Sequence, residues 1–439
     1  MKLLLALLAL QDDVTGDWYG ALEITGAKLR LVIHIAKDGD GLKGTMDSPD
    51  QGANGLKLDD VAFKDGKLTF VFKAANGSYE GTLKDGKFEG TWTQNGAWPL
   101  PLSRTKPEPP KRPQNPAKPY PYDEEEVSYE SAATKSKMGG TLTLPRSKGP
   151  HPAVLLITGS GAQDRDETLM DHKPFLVLAD HLTRKGVAVL RVDDRGIGKS
   201  TVGDHGKSTS ADFADDALAG VEYLRTRKEI DPKKIGLCGH SEGGLIAPMC
   251  AAKSEQVAFI VLMAGPGLRG DEILAMQTEL ISKAAGLPDA MVARNTERNK
   301  KIYAIVREEK DDAAAQKKIL DLFADSPEAE RKGMEMQVRQ LVSPWFRFFM
   351  TYDPAPTLAK VKCPVFALNG EKDLQVPCKE DLEAIQKACP HADTLALPDL
   401  NHLFQTCKTG APAEYAQIEE TFAPAALEAI SSWILKTVR

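Results

Sequence analysis

Apolar and polar positions change register along this chain in a way that predicts its organisation. From about residue 14 to 103, short apolar stretches are separated by turn dipeptides. The run 29–35 (Leu-Arg-Leu-Val-Ile-His-Ile) gives way to Asp38-Gly39-Asp40-Gly41, the run 67–72 lies between Asp65-Gly66 and Asn76-Gly77, and Asp85-Gly86 precedes 88–92. Asn-Gly and Asp-Gly supply the positive φ that tight hairpin turns need. This predicts an antiparallel all-β domain over 12–104, a small barrel or sandwich. It serves either as an accessory module or as a ligand-binding barrel. Between residues 105 and 122 stand Pro107, Pro109, Pro110, Pro113, Pro116, Pro119 and Pro121. That spacing denies the backbone helix and ladder bonds, so the segment reads as an extended, semi-rigid linker.

From 123 to 439 the pattern becomes strands alternating with helices. The stretch 151–158 reads as a continuous apolar run, as in a strand buried on both faces, 187–192, 257–263 and 365–368 read as further buried strands, and 235–238 as a short strand. Residues 127–129 and 140–144 read as a first hairpin. Amphipathic helices are predicted at 174–185, 211–227 (with Ser210 as N-cap), 242–253 and 424–436. The alternation predicts an α/β fold with a mostly parallel sheet between helical layers. About residues 268–360 are helical by pattern (271–285, 289–310, 312–323 and 327–341) and too long for a loop between neighbouring strands. They are read as a cap over the C-terminal edge of the sheet. The cap ends in an aromatic cluster, Trp345-Phe346-Arg347-Phe348-Phe349-Met350-Thr351-Tyr352, which either lines a substrate pocket or anchors the cap.

Residues 1–11 read as a secretory signal: Met1-Lys2, then only Leu and Ala from 3 to 10, then Gln11. The apolar run is far shorter than the ~20 residues of a membrane span. Export to a periplasmic or extracellular space is expected, with a cytoplasmic place if the segment is not cleaved. The 439 residues carry 56 basic and 62 acidic side chains, a net charge of −6, so there is no positive field for nucleic acid. The 6 cysteines form no CxxC pair, which argues against a zinc ribbon or a disulfide framework. Cys378 and Cys407 flank chemically interesting segments, and either a disulfide between them or free thiols fits the sequence.

The sharpest chemical signal is Gly239-His240-Ser241-Glu242-Gly243-Gly244. It fits G-x-S-x-G directly after an apolar strand and opens a helix, the setting of a nucleophile elbow. A serine nucleophile needs a base. Of the 8 histidines, His34 falls in the β domain, His151 at a strand start and His181 inside a helix. His240 adjoins the serine, and His172, His205 and His391 lie in loops without the right order. His402 follows the last short strand at 394–397 and is the expected base. The acid is expected after the strand at 365–368, where Asp373 is the best candidate and Glu371 and Asp399 are rivals. The order Ser241, Asp373, His402 is the hydrolase order. The oxyanion needs backbone N–H donors. Glu242 is expected to give one, and Ser160, or second Gly161, the other. His240, Trp345, Phe346 and Phe349 are candidate pocket residues. No metal or other cofactor is called for.

Together, the Ser241 elbow, the loop 159–167 (Gly-Ser-Gly-Ala-Gln-Asp-Arg-Asp-Glu) and 193–200 (Asp-Asp-Arg-Gly-Ile-Gly-Lys-Ser) resemble the α/β-hydrolase superfamily. Within it they resemble bacterial carboxylesterases of the EstD type, which carry an N-terminal β domain and an inserted cap. Gly370-Glu371-Lys372-Asp373 and Leu400-Asn401-His402 are similar to the acid and base motifs of that group. The resemblance implies cofactor-free hydrolysis of short-chain carboxylic esters, with a small-molecule ester as partner. A peptidase or thioesterase on the same fold is the alternative. Asp164, Arg165, Asp166, Asp194 and Arg195 are expected to brace loops through ion pairs, with substrate contact by Arg165 as a second option. Gly16-Asp17-Trp18 resembles the G-x-W opening of lipocalin-type barrels.

Overall fold

The computed structural model describes residues 13–24, 27–49, 53–94, 96–108, 111–201 and 207–439. The expected signal segment and His205 lie outside them. The chain divides into two compact units, Met1–Pro110 and Lys111–Arg439, so the division falls inside the Pro-rich segment.

The first unit contains β1 (Gly16–Ile24), β2 (Ala27–Asp38), β3 (Gly41–Ser48), β4 (Ala53–Lys64), β5 (Lys67–Phe72), β6 (Gly77–Lys84), β7 (Lys87–Thr93), β8 (Ala97–Pro99) and β9 (Leu102–Ser103). Each neighbouring pair from β1 to β7 is antiparallel, and β9 joins β7 to β1 and closes the ring. The β domain is therefore a barrel, with β8 laid on β7 outside the ring. Its tightest turns use the dipeptides picked out by the sequence. Asp65 and Gly66 sit at φ 51° and 76°, and Asp85 and Gly86 at 49° and 75°, the two-positive pattern whose twist matches paired strands. The interior is filled by its own side chains. Trp92, Phe70 and Phe88 are fully buried, Trp18 lies 4.5 Å from Phe88 and Phe70 stacks on Tyr79 at 4.8 Å. A barrel of this size is just wide enough to be filled in this way.

The second unit begins with β10 (Asp123–Ser131), β11 (Ser136–Leu144), β12 (His151–Ile157), α1 (Pro174–Arg184), β13 (Ala188–Val192), α2 (Ser210–Arg225), β14 (Ile230–His240), α3 (Glu242–Lys253) and β15 (Phe259–Met263). A helical insertion follows: α4 (Gly270–Ala284), α5 (Asp289–Glu308), α6 (Asp312–Asp321), α7 (Glu328–Leu341), α8 (Pro344–Thr351) and α9 (Ala355–Leu358). The unit ends with β16 (Val365–Gly370), α10 (Cys378–Ala388), β17 (Asp393–Leu397) and α11 (Pro424–Thr437). The sheet order is β10-β11-β13-β12-β14-β15-β16-β17, antiparallel at β10–β11–β13 and parallel elsewhere. This is the α/β-hydrolase arrangement.

The apolar strand runs arise because both sheet faces are covered. Leu155, Ile157, Leu237, Ile260, Leu262, Val365 and Ala367 face one core with α2, α3 and α10. Val154, Leu156, Cys238, Phe259, Val261, Phe366 and Leu368 face the other with α1 and α11. Successive side chains point to opposite faces, so a strand buried on both sides shows no polar alternation. Parallel pairing puts the ends of β12, β14, β16 and β17 on one edge, and the loops that follow them carry every sequence candidate for catalysis.

Two local readings change. The cap of α2 is Thr209, not Ser210: Asp212 Oδ2 accepts from both the backbone N–H and the hydroxyl of Thr209, at 2.8 Å each. Ser210 is released to bond Glu242. The aromatic cluster is itself the helix α8, whose N-cap Ser343 accepts from the N–H of Phe346 at 3.2 Å. The later part of the Pro-rich segment belongs to the second unit. There Arg112 donates to the carbonyls of Ile418, Met170 and Ala416, and Gln114 bonds the backbone of Thr421 and Phe422.

Candidate functional site

Ser241 sits at the tip of the β14–α3 turn with φ 52° and ψ −118°. For a residue with a Cβ this conformation costs about 1–3 kcal/mol, and it persists only where its surroundings enforce it. Here the surroundings are glycines. A Cβ on Gly239 would come within 2.0 Å of the Gly243 carbonyl oxygen, one on Gly243 within 2.1 Å of the Ile157 carbonyl oxygen, and one on Gly244 within 2.5 Å of Gly265 Cα. The turn is pinned by the Ser241 N–H donating to the Met263 carbonyl at 2.9 Å and the Gly244 N–H donating to the Ser241 carbonyl at 2.8 Å. The serine thus stands at the N-terminus of α3, where unpaired N–H groups favour negative charge.

Asp373 and His402 come together on the neighbouring loops. Asp373 Oδ2 lies 2.7 Å from His402 Nδ1, and both residues are buried. The other oxygen, Oδ1, accepts the backbone N–H groups of Gln375 at 2.7 Å and Val376 at 2.9 Å, which fixes the carboxylate plane. The rivals are placed elsewhere. Asp399 pairs with Lys372 at 2.7 Å, and Glu371 is exposed. The His402 loop is held by Asn401 Oδ1, which accepts from the N–H groups of Leu403 and Gln405. Among the described residues, no hydrogen bond joins Ser241 Oγ to His402.

The loop 158–167 is built for rigidity. Asp194 accepts from the Thr158 hydroxyl and the Gln163 N–H, both at 2.8 Å. Arg165 grips Asp193 with two nitrogens, at 3.0 Å and 2.6 Å, and also donates to Glu126 and Thr141. Donating hydrogen bonds to the Asp193 carboxylate raises the Arg165 pKa further, so its charge is committed to this brace. Arg191 pairs with Asp166, and Arg195 with Asp216 at 2.7 Å. Of the residues expected to brace loops through ion pairs, Arg165, Asp166 and Arg195 do so with Asp193, Arg191 and Asp216, while Asp164 accepts hydrogen bonds from the Asp166 N–H and the Thr168 hydroxyl. The Gly159 N–H donates to Glu167 Oε1 at 2.7 Å. Ser160 and Gly161, the latter at φ 99°, are exposed in the same loop.

The expected pocket residues separate. His240 lies beneath the serine and bonds Glu167 and the His402 carbonyl, so it is no pocket wall. Phe346 is buried in the insertion's own core with Tyr303, Val306 and Met350, because on α8 it faces inward. Trp345 and Phe349 stack at 5.5 Å on another side of that helix. The Trp345 indole donates to Glu242 Oε1 at 2.8 Å, and the Ser210 hydroxyl donates to the same oxygen at 2.6 Å. Sequence reasoning had no access to Glu167, whose role depends on a loop returning beside the elbow. A cavity of about 50 Å³ opens beside Gly159, Gly161 and Glu242, with Leu155, Ile157, Phe213 and Ile246 in its lining. No described helix is long and apolar enough to cross a membrane.

The family model described as serine aminopeptidase, S33, matches residues 172–326, a span that includes the Ser241 elbow but not Asp373 or His402. Esterase EstD of Thermotoga maritima is 26% identical over 320 residues, 72% of this chain and 69% of that protein. Among solved structures, the ferulic acid complex of Est1E from Butyrivibrio proteoclasticus aligns at 17% identity over 71% of this chain and 99% of that one, with a TM-score of 0.43. The Pyrococcus furiosus esterase Pf2001 aligns at 16% identity over 72% and 93%, with a TM-score of 0.42. With its sheet order and its strand–serine–helix turn the chain has the α/β-hydrolase fold, its residues 172–326 match the model of a hydrolase family, and it is similar to EstD.

Proposed function

We propose that the protein is a serine carboxylesterase that hydrolyses small, uncharged esters through an acyl-enzyme. The observation that carries this reading is the 2.7 Å contact between Asp373 and His402 on loops at the same sheet edge as the strained Ser241. Ser241 Oγ attacks the ester carbonyl while His402 Nε2 takes its proton. Asp373 holds the Nδ1–H tautomer and offsets the imidazolium charge. The Ser241–His402 contact tightens when substrate seats, as is common for catalytic hydrogen bonds that are open in a free enzyme. The tetrahedral oxyanion is bound by the N–H of Glu242 and one from the 159–161 loop. The Gly159 N–H is already taken by Glu167, which leaves Ser160 and Gly161 as the loop donors. His402 then protonates the leaving alcohol, and water repeats the cycle in reverse.

The small cavity beside these donors fits a short acyl chain of roughly three or four heavy atoms, since one water needs about 10–15 Å³ by the same measure. The helical insertion acts as a cap, with α8 reaching the elbow through Trp345. The N-terminal barrel is an accessory module. An aminopeptidase would need a carboxylate aimed at the substrate ammonium. Glu242 and Glu167 beside the elbow are instead occupied by Ser210 and Trp345, and by Gly159 and His240. Hydrolysis of p-nitrophenyl esters of graded chain length, beside aminoacyl p-nitroanilides and acyl thioesters, tests the reading. Acetyl to butyryl esters are expected to be the best substrates. Full activity in a folded Ser241→Ala variant, or a preference for the anilides, overturns it.

A further inference from the structure

Glu167 and His240 form a buried pair that none of these proton transfers uses. Each is 6% exposed. The His240 ring faces acceptors on both sides: Nδ1 lies 2.9 Å from Glu167 Oε1, and Nε2 lies 2.9 Å from the His402 carbonyl oxygen. A neutral imidazole has one N–H, so with Glu167 as a carboxylate both bonds are made together only by the imidazolium. Burial works against that charge, but the field and hydrogen bond of Glu167 outweigh it and hold the His240 pKa above the ordinary histidine value. Asp373 adds to the pull, and the other titratable neighbour is the His402 ring, 4.8 Å away. The same Glu167 oxygen accepts the Gly159 N–H at 2.7 Å. One side chain pair therefore spans from the loop that carries Ser160 and Gly161 to the backbone of the base, passing under Ser241. A Cβ on Gly159 would lie 3.3 Å from Ser241 Cβ and 3.5 Å from His240 Nδ1, which shows how closely the segments meet.

We propose that the Glu167–His240 ion pair is a positioning device for the esterase reaction, setting the spacing between the oxyanion loop and the His402 ring. It rests on the esterase reading, and its test separates the two. Misplacing reacting groups by about 1 Å costs on the order of 10²-fold in rate even when substrate binding survives. Glu167→Gln keeps the shape and the acceptor for Gly159 but removes the charge. His240 then gives up its second proton at lower pH than in the wild type, and one of its two bonds goes with it. The expected result is a kcat lowered about 10- to 100-fold with KM within about threefold, and a new alkaline loss of kcat that the wild type lacks. In the Glu167→Gln/His240→Gln double variant the introduced amide at 240 still donates to the His402 carbonyl. That variant should recover part of the rate and lose the new alkaline limb, a non-additive result.

A second measurement does not depend on turnover. Ring ¹⁵N resonances of the wild-type protein, with His240 assigned by its loss in His240→Gln, should show a doubly protonated His240 at pH 8. A neutral ring at pH 8 overturns the proposal, as do folded Glu167→Gln and His240→Gln variants that keep kcat within twofold of wild type at every pH. If Ser241→Ala abolishes activity while these variants change nothing, the esterase reading stands and the positioning role falls. If Ser241→Ala stays active, the esterase reading falls whatever the ring signal shows.

Discussion

Replacing Asp373 by Asn tests the acid's role with little confusion from stability, because the two carboxylate oxygens have separate partners. Oδ1 accepts the N–H groups of Gln375 and Val376, and Oδ2 meets His402 Nδ1. The introduced amide must keep its oxygen toward the two backbone donors, since the opposite rotamer would set NH₂ against two N–H groups. Its NH₂ then faces His402 and donates to Nδ1. The ring proton moves to Nε2, the nitrogen that should accept from Ser241, and the base is lost. The same swap in the serine protease triad lowers kcat about 10⁴-fold, equivalent to about 5 kcal/mol of transition-state stabilisation. The fold loses one charge-assisted contact and keeps the rest, a cost of about 1–2 kcal/mol, or a few degrees in Tm. The assay is kcat on p-nitrophenyl acetate beside thermal unfolding by circular dichroism. A folded Asp373→Asn variant with kcat within tenfold of wild type refutes the assignment, and a collapse in Tm with no separate kinetic effect assigns Asp373 to the scaffold instead.

Asp381 on α10 carries a prediction about pH. Its Oδ1 accepts the N–H groups of Gly267 and Leu268 at the entry to the helical insertion, its Oδ2 is buried with no partner, and burial pushes its carboxyl up to about 7. Because the folded value lies above the unfolded one, the folded state holds this proton more tightly, and stability falls as pH rises from about 4 to about 7. Asp381→Asn cannot titrate, so its Tm relative to wild type should rise between pH 5 and 8, by the equivalent of about 1–3 kcal/mol; a constant difference would show that the carboxylate is not strained. All 6 cysteines are free, with Cys378 and Cys407 donating to carbonyls of Asn369 and Asp399. Thiol titration of protein unfolded without reductant should therefore count 6 thiols per chain, and 4 would reveal a disulfide.

Much of the second unit was legible because its signals are local. The strand runs at 153–157 and 257–263 are apolar throughout since β12 and β15 are covered on both faces, and the elbow is written in closely spaced glycines whose contacts allow nothing larger. The hairpin turns of the barrel were legible for the same reason. Its closure was not, because it depends on the pairing of β9 with β1 across most of the unit. The partners of Arg165 and Arg195 escaped because each lies about 20 to 30 residues away on another element: Asp193 after β13 and Asp216 on α2. The choice between pocket lining and anchoring for Phe346 was not legible, because a run of aromatics does not reveal which of them a helix turns inward. Glu167 entered only as the last residue of the 159–167 loop and without a role, as an acid in a polar loop looks like any other.

The bond from Trp345 to Glu242 gives the molecule an optical property. Indole emission follows the polarity and mobility of its surroundings, and Trp345 reports on a single contact between α8 and the residue after the serine. The other tryptophans are Trp18, Trp92 and Trp98 in the barrel and Trp433 on α11, each with its own fixed neighbours. Lifting α8 from the elbow would move this indole alone from a carboxylate partner into water. The posture of the insertion is thus written into the chain's intrinsic fluorescence, and its rate of change can be followed by stopped flow without attaching a dye.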